Sequence, residues 1–384
     1  ALPKKKPRDH QKAAIRDVLK GFKTNKRGQM IMACGTGKTL AALWINERLK
    51  SRRTLVLVPS LSLVSQMLDE WNRNSKAKFE TLVVCSDETV LRRGDDSPVA
   101  SSTTLGIPVT TDPDEIRRFL RKKREAPAVV FSTYQSSDRI AQAQTKGVPS
   151  FDLVIADEAH RCAGREAGLF ATVLDQGKIK AKRRLFVTAT PRYFTKSVQE
   201  KSNEVEDALA SMDDHVTFGP VLHKITFAEA IEKDLLTNYQ VVIIGVTDSE
   251  VRSLVDQAAL VKTGEGQTAD ARTLASQIAV AKAMRKYDLK KVISFHSTVA
   301  AAQAFSDSDS ATSLAGVIKT LKRSSRPSGK LWSSHVSGKT PTGKRTNLIK
   351  HFAALPEGTR GLLSNCSCLG EGVDVPVLDG VAFV

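Results

Sequence analysis

Residues 30–43 read MIMACGTGKTLAAL: a short apolar run, a turn with two glycines, then a stretch of strong helix formers. Glycine at 35 and at 37 lets the chain curl until several backbone N–H groups face one point, and the helix that follows adds the positive end of its dipole there. Such a concavity binds phosphate. Gly35, Thr36 and Gly37 would line it, the Lys38 ammonium would reach the β- and γ-phosphates of a nucleotide, and the Thr39 hydroxyl would ligate Mg2+. The strict pattern G-x-x-x-x-G-K-[ST] requires glycine at position 32, where this chain has Met32, so the stretch alone also fits a glycine-rich turn without special chemistry.

A second stretch narrows the choice. In FDLVIADEAHRC (151–162) an apolar strand core ends in Asp157 and Glu158, at the end of a strand where open α/β sheets bind ligands. Asp157 can hold Mg2+ through water while Glu158 polarises the attacking water, the usual division of labour in phosphoryl transfer to water. The plainer alternative is a solvated acidic start to a helix. Lys38, Asp157 and Glu158 are therefore the candidate catalytic residues, with Thr39 and Asp157 on the metal.

Working outward, near-continuous apolar runs recur at 28–34, 54–59, 79–86, 127–133, 151–157 and 184–190, as expected of strands covered on both faces. Helical patterns at 39–51 and 61–73 lie between them, which predicts repeated β-α units and a parallel sheet. A second series of strands is predicted at 239–246, 290–297, 329–338, 360–366 and 378–384, with helices at 271–287 and 344–355. At 384 residues the chain is too long for one ordinary core. The expected organisation is α/β, with domains at 1–222 and 239–384 joined by a linker at 223–238. Residues 92–108, 246–271, 306–313 and 322–330 read as polar loops or a poorly packed insertion.

Lys and Arg outnumber Asp and Glu by 58 to 41, for a net charge of +17, which points to a polyanionic partner such as nucleic acid, with a membrane surface the weaker alternative. The basic clusters PKKKPR (3–8), RRFLRKKR (117–124), KIKAKRR (178–184) and KTLKRSSR (319–326) carry this excess, though each also fits an ordinary solvated face. Aromatic residues make up only 5%, so tracking along phosphates is favoured over stacking on bases. No apolar run reaches the roughly 18 to 20 residues of a membrane span, and a soluble, cytoplasmic protein is expected. The five scattered cysteines suit reduced thiols, and the lone C-x-C of Cys366 and Cys368 gives no metal claim.

ACGTGKT, ADEAH and VTATP, in this order and spacing, resemble the superfamily 2 helicases and translocases, and within them the DEAH-type group typified by the motor subunits of type I and type III restriction enzymes. The resemblance implies two RecA-like domains of the P-loop NTPase kind, ATP and Mg2+ as cofactors, and movement along nucleic acid. It assigns Gln11, with Arg8 as helper, to the adenine. Pro59 and Ser60 in LVPSLSLVSQ, Thr133 and Tyr134 in FSTYQS, and Ser297 are assigned to the nucleic acid. Small hydroxyls and backbone amides suit contacts that read phosphate and not base. His160, Thr188 and Thr190 would form the relay between the two ligands, although a histidine beside a Mg2+ site also fits a metal ligand.

CLGEGVDVP resembles motif V, in which Gly372 and Asp374 face the nucleotide and Ser364 to Cys368 lie toward the nucleic acid. The family's motif VI, with its Q-x-x-G-R-x-x-R core and arginine finger, is not found in the 384 residues. The second domain is thus expected to be incomplete and the sequence a fragment of a longer protein. Loss of such an arginine costs about 10³ to 10⁵ in turnover. The resulting expectation is an ATP-dependent DNA helicase or duplex translocase of the restriction and phage-defence kind, with a nuclease, methyltransferase or specificity module attached. An RNA helicase and a nucleotide switch with little turnover remain alternatives.

Overall fold

In a computed structural model, residues 3–85, 109–165, 170–195, 209–247, 249, 251–252, 271–338, 340, 342–366, 369 and 378–384 are described. They divide into two units, one reaching Tyr239 and the other running from Gln240.

The first unit is built on β1 (Arg27–Met32), β2 (Arg53–Val58), β3 (Glu80–Val84), β4 (Val109–Thr110), β5 (Ala128–Thr133), β6 (Leu153–Asp157), β7 (Gly164–Arg165), β8 (Arg184–Thr188), β9 (Leu209–Ala210) and β10 (Val221–Ile225). Eight of these make one parallel sheet in the order β10-β1-β8-β6-β2-β5-β3-β4. Helices cover both faces because the central strands are apolar on both. Val56 and Val58 of β2 pack with α1 (Asp9–Gly21), α2 (Lys38–Arg48) and α3 (Leu61–Asn74), through Ile15, Leu43 and Trp71 among others. Leu55 and Leu57 of the same strand face α4 (Pro113–Arg121) and α5 (Ser137–Thr145), through Ile116, Leu120 and Ile140. Each such fully buried aliphatic side chain contributes about 1.5–3 kcal/mol.

Residues 223–238 are not a free linker, as expected from sequence, but part of this unit. β10 runs parallel to β1 at the sheet edge, and α6 (Phe227–Glu232) buries Ala230 in the same core as Ile225. The helix start is specified locally by TFAE: Thr226 Oγ1 accepts from the Glu229 amide and the Glu229 carboxylate accepts from the Thr226 amide.

The second unit holds α7 (Ala271–Lys286), β11 (Lys291–Phe295), α8 (Val299–Ser306), α9 (Leu314–Thr320), β12 (Lys330–Ser337), α10 (Thr342–Ala353), β13 (Thr359–Cys366) and β14 (Gly380–Phe383). Its parallel sheet has the order β12-β13-β11-β14. Leu362 packs to one face with Met284, Phe305 and Leu314, and Leu363 to the other with Val336 and Phe352. The expected strand at 239–246 is absent. Those residues pair with no strand, and Tyr239 is 63% and Ile243 94% exposed. An apolar, β-branched run becomes a strand only where another backbone accepts from its N–H groups and donates to its C=O groups, and composition cannot supply that partner. Among the described residues, no helix is long and apolar enough to cross a membrane.

Candidate active site

The turn between β1 and α2 has the curled form expected of it. Gly35 has φ 81° and Gly37 has φ 83°, a region that side chains with a Cβ rarely adopt. At Gly37 a Cβ would also stand 2.3 Å from Gln11 Nε2. The turn is braced from α1: Gln11, 4% exposed, donates from Nε2 to the Gly37 carbonyl at 3.2 Å and to that of Thr36 at 3.4 Å, while its Oε1 accepts from the Arg8 amide at 2.9 Å. Gln11, expected on the adenine, thus spends these bonds on the loop. His10 Nε2 lies 2.8 Å from the same Thr36 carbonyl, a contact that sequence reasoning missed. The signal was present in its position, next to Gln11 on the first turn of α1. Thr36 Oγ1 closes the turn on the Ala33 carbonyl at 2.6 Å, and Trp71 Nε1 donates to the Thr39 carbonyl at 3.1 Å.

β6 and β1 both flank β8, so the end of β6 delivers its acids beside this turn. Lys38 Nζ lies 3.3 Å from Glu158 Oε1 and 3.9 Å from Cys34 Sγ. Burial alone would depress the lysine pKa, but Glu158 and Asp157 outweigh it and raise it. Burial would likewise raise that of Glu158, but His160 and Lys38 hold it below the usual carboxylate range. Asp157 is 8% exposed, and burial followed by repulsion from Glu158 pushes its carboxyl up to about 7. Its Oδ1 is a buried acceptor without a hydrogen-bond partner. An orphaned carboxylate oxygen beside a phosphate-type turn fits a hard cation.

Glu158 sits in the left-handed region at φ 50°, which turns its side chain back toward Lys38 and toward His160, whose Nδ1 is 3.4 Å from Oε2. The same His160 Nδ1 lies 3.0 Å from Thr188 Oγ1, and the Thr190 amide donates to that hydroxyl at 3.2 Å. Lys38, Asp157, Glu158, His160, Thr188 and Thr190 are therefore one connected cluster at the carboxyl ends of β6 and β8.

The residues expected on nucleic acid are arranged otherwise. Thr133 and Tyr134 are each 1% exposed, so neither side chain is offered to a ligand: Thr133 Oγ1 donates to Ser136 Oγ, and the Tyr134 hydroxyl donates to the Asp157 carbonyl at 2.6 Å. Ser60 Oγ accepts from the Leu63 amide at 3.4 Å as the cap of α3, and Pro59 beside it is buried. Both follow β2, which pairs with β5 up to Val58 and Thr133, so the two segments lie side by side at the carboxyl end of the sheet. In the second unit Ser297 is exposed at the end of β11. Ser364 and Asn365, expected toward the nucleic acid, are fully buried; Ser364 Oγ bonds Ser294 Oγ at 2.9 Å. Cys366 is buried too, while Cys368, Gly372 and Asp374 lie outside the described residues.

The basic clusters are partly neutralised in place. Arg117 pairs with Asp114, Lys122 with Glu80 and Lys182 with Asp152. Arg184 is buried and donates to the carbonyls of Val173 and Ile179.

The family model "Type III restriction enzyme, res subunit" (ResIII) matches residues 4–193, a span that includes the turn, the acid pair and the His160–Thr188 contact. Residues 4–193 are a ResIII domain. The chain is 32% identical over 237 residues to the probable helicase A859L of African swine fever virus, covering 61% of this chain and 24% of that one. Solved structures that match nearly its full length include two Type ISP enzymes. One is the ATP-dependent Type ISP restriction-modification enzyme LlaBIII bound to DNA, with TM-score 0.80, 29% identity, and coverage of 99% of this chain and 26% of that one. The other is a nuclease-deletion mutant of the Type ISP enzyme LlaGI with a DNA substrate mimic, with TM-score 0.66, 25% identity, and coverage of 98% and 25%. Residues 4–193 carry the restriction-motor family match, and the likeness to the two Type ISP structures extends over nearly the whole chain. The chain spans about a quarter of the length of these relatives.

Proposed function

We propose that the chain is the motor part of an ATP-dependent DNA helicase or duplex DNA translocase in a restriction or phage-defence system. The observation that carries this is the meeting of Lys38 with the Asp157–Glu158 pair beside the braced glycine turn, within a ResIII domain. ATP would lie with its phosphates against Gly35, Thr36, Gly37 and Lys38. Thr39 and Asp157, whose Oδ1 lacks a partner, would hold Mg2+, which would supply charge neutralisation at the phosphates. Glu158, kept ionised by its lysine and histidine neighbours, orients and deprotonates water; His160 carries the state of that carboxylate to Thr188 and Thr190. Arg8 would face the base and Ser297 the nucleic acid.

Double-stranded DNA is the proposed track, since LlaBIII is bound to DNA in the matched structure and the chain carries a charge of +17. A nuclease, methyltransferase or specificity module elsewhere in the protein, and work in the cytoplasm, complete the proposal. The test is ATP hydrolysis by the intact protein carrying this chain, with duplex DNA, single-stranded DNA and RNA compared. Stimulation by DNA is expected. Stimulation by RNA alone would make it an RNA helicase, and nucleotide binding without turnover a switch.

A further inference from the structure

We propose that Tyr134 is a positioning residue that sets the aim of Glu158, and so links the carboxyl ends of β2 and β5 to the hydrolytic centre; this rests on the ATPase reading above. Tyr134 opens the short 3-10 turn Tyr134–Ser136 between β5 and α5, and its ring is buried against Phe170 at 5.0 Å. Its hydroxyl donates to the Asp157 carbonyl at 2.6 Å.

That carbonyl belongs to the peptide plane whose other end is the Glu158 amide. Holding the oxygen fixes the plane, and with it the left-handed turn at Glu158, a conformation a residue with a side chain keeps only when its surroundings impose it. From that turn Glu158 reaches Lys38 and His160. The tyrosine end of the link is itself stiff. Ser137 Oγ donates to the Tyr134 carbonyl at 2.6 Å and Thr133 Oγ1 to Ser136 Oγ at 3.3 Å. Because Thr133 is in register with Val58, the turn starts level with Pro59 and Ser60. A shift of the turn would therefore reach Glu158 through a single hydrogen bond.

Tyr134→Phe in the intact protein keeps the ring and removes only the hydroxyl. The expected result is a fall in kcat for DNA-stimulated ATP hydrolysis of about tenfold, with KM for ATP and affinity for duplex DNA within about twofold of wild type. Amides 158–162 should exchange hydrogen faster in the variant, a readout independent of turnover. Ser137→Ala, which loosens the same turn from outside, should show a smaller loss in kcat alone. Unchanged kcat and exchange in Tyr134→Phe would overturn the proposal. So would a parallel loss of KM, DNA affinity and thermal stability while Ser137→Ala behaves as wild type. If wild type lacks turnover the motor reading fails, and the exchange measurement still decides the role of Tyr134.

Discussion

Lys38 Nζ and Glu158 Oε1 stand 3.3 Å apart, joining two side chains separated by 120 positions in the sequence. In this arrangement each neutralises the other, and a triphosphate entering the turn would compete for the ammonium and release the carboxylate. Lys38→Ala is therefore expected to lower kcat/KM for ATP by about 10² to 10³, the usual cost of removing one donor to developing charge. A coupled-enzyme ATPase assay checks this. Wild-type activity in the variant would remove the phosphate-loop assignment.

Gln11 holds the loop through the Thr36 and Gly37 carbonyls. Gln11→Ala should weaken nucleotide binding by about 5- to 30-fold, equivalent to about 1–2 kcal/mol for two lost hydrogen bonds. Titration with a fluorescent nucleotide measures it, and an unchanged Kd would show that the loop needs no brace.

Gly37→Ala meets two obstacles, the positive φ and the Gln11 amide 2.3 Å from the new Cβ. A loss of about 1–3 kcal/mol in stability of the first unit is expected, in line with the cost of a side chain in that backbone region. Chemical denaturation gives the figure. In a Gln11→Ala background the cost should shrink, since the steric partner is gone.

In the second unit, burial drives the His296 pKa down from 6.5 to about 4; its Nε2 bonds Ser294 and its ring packs on Phe305 at 4.8 Å. The unfolded chain binds the proton more readily, so this stability is complete above the unfolded value of 6.5 and is lost as pH falls toward 4. Between pH 6.5 and pH 5 the loss should be at most about 1.5 kcal/mol, less where solvent screens the ring. Urea melts at the two pH values test this, and His296→Asn should flatten the difference.

Much of the first unit was legible because its strands are apolar on both faces and each is bounded by a turn signal, as in FDLVIADE. The turn at Gly35–Lys38 was legible for a local reason, as glycines and the following helix define it without distant help. The run at 239–246 misled because pairing is not a local property. The placement of the Thr133 and Tyr134 side chains was not legible for a related reason: a hydroxyl at a strand end reads alike whether it faces solvent or a neighbouring carbonyl, and only packing against Phe170 and the Asp157 peptide separates the two.

By itself the sequence determined which chemical groups this protein owns and the short elements that carry them: a curled anion-binding turn, an acid pair ending a strand, and helices with one apolar side. The tertiary structure alone decided what meets what. Strand order set β6 beside β8 and β8 beside β1, so groups far apart in sequence share one pocket, and the same packing drew Gln11, His10 and Tyr134 into support of that pocket. The physical reason is that backbone conformation follows from nearby residues, whereas burial and long-range hydrogen bonds depend on which surfaces the whole chain brings together.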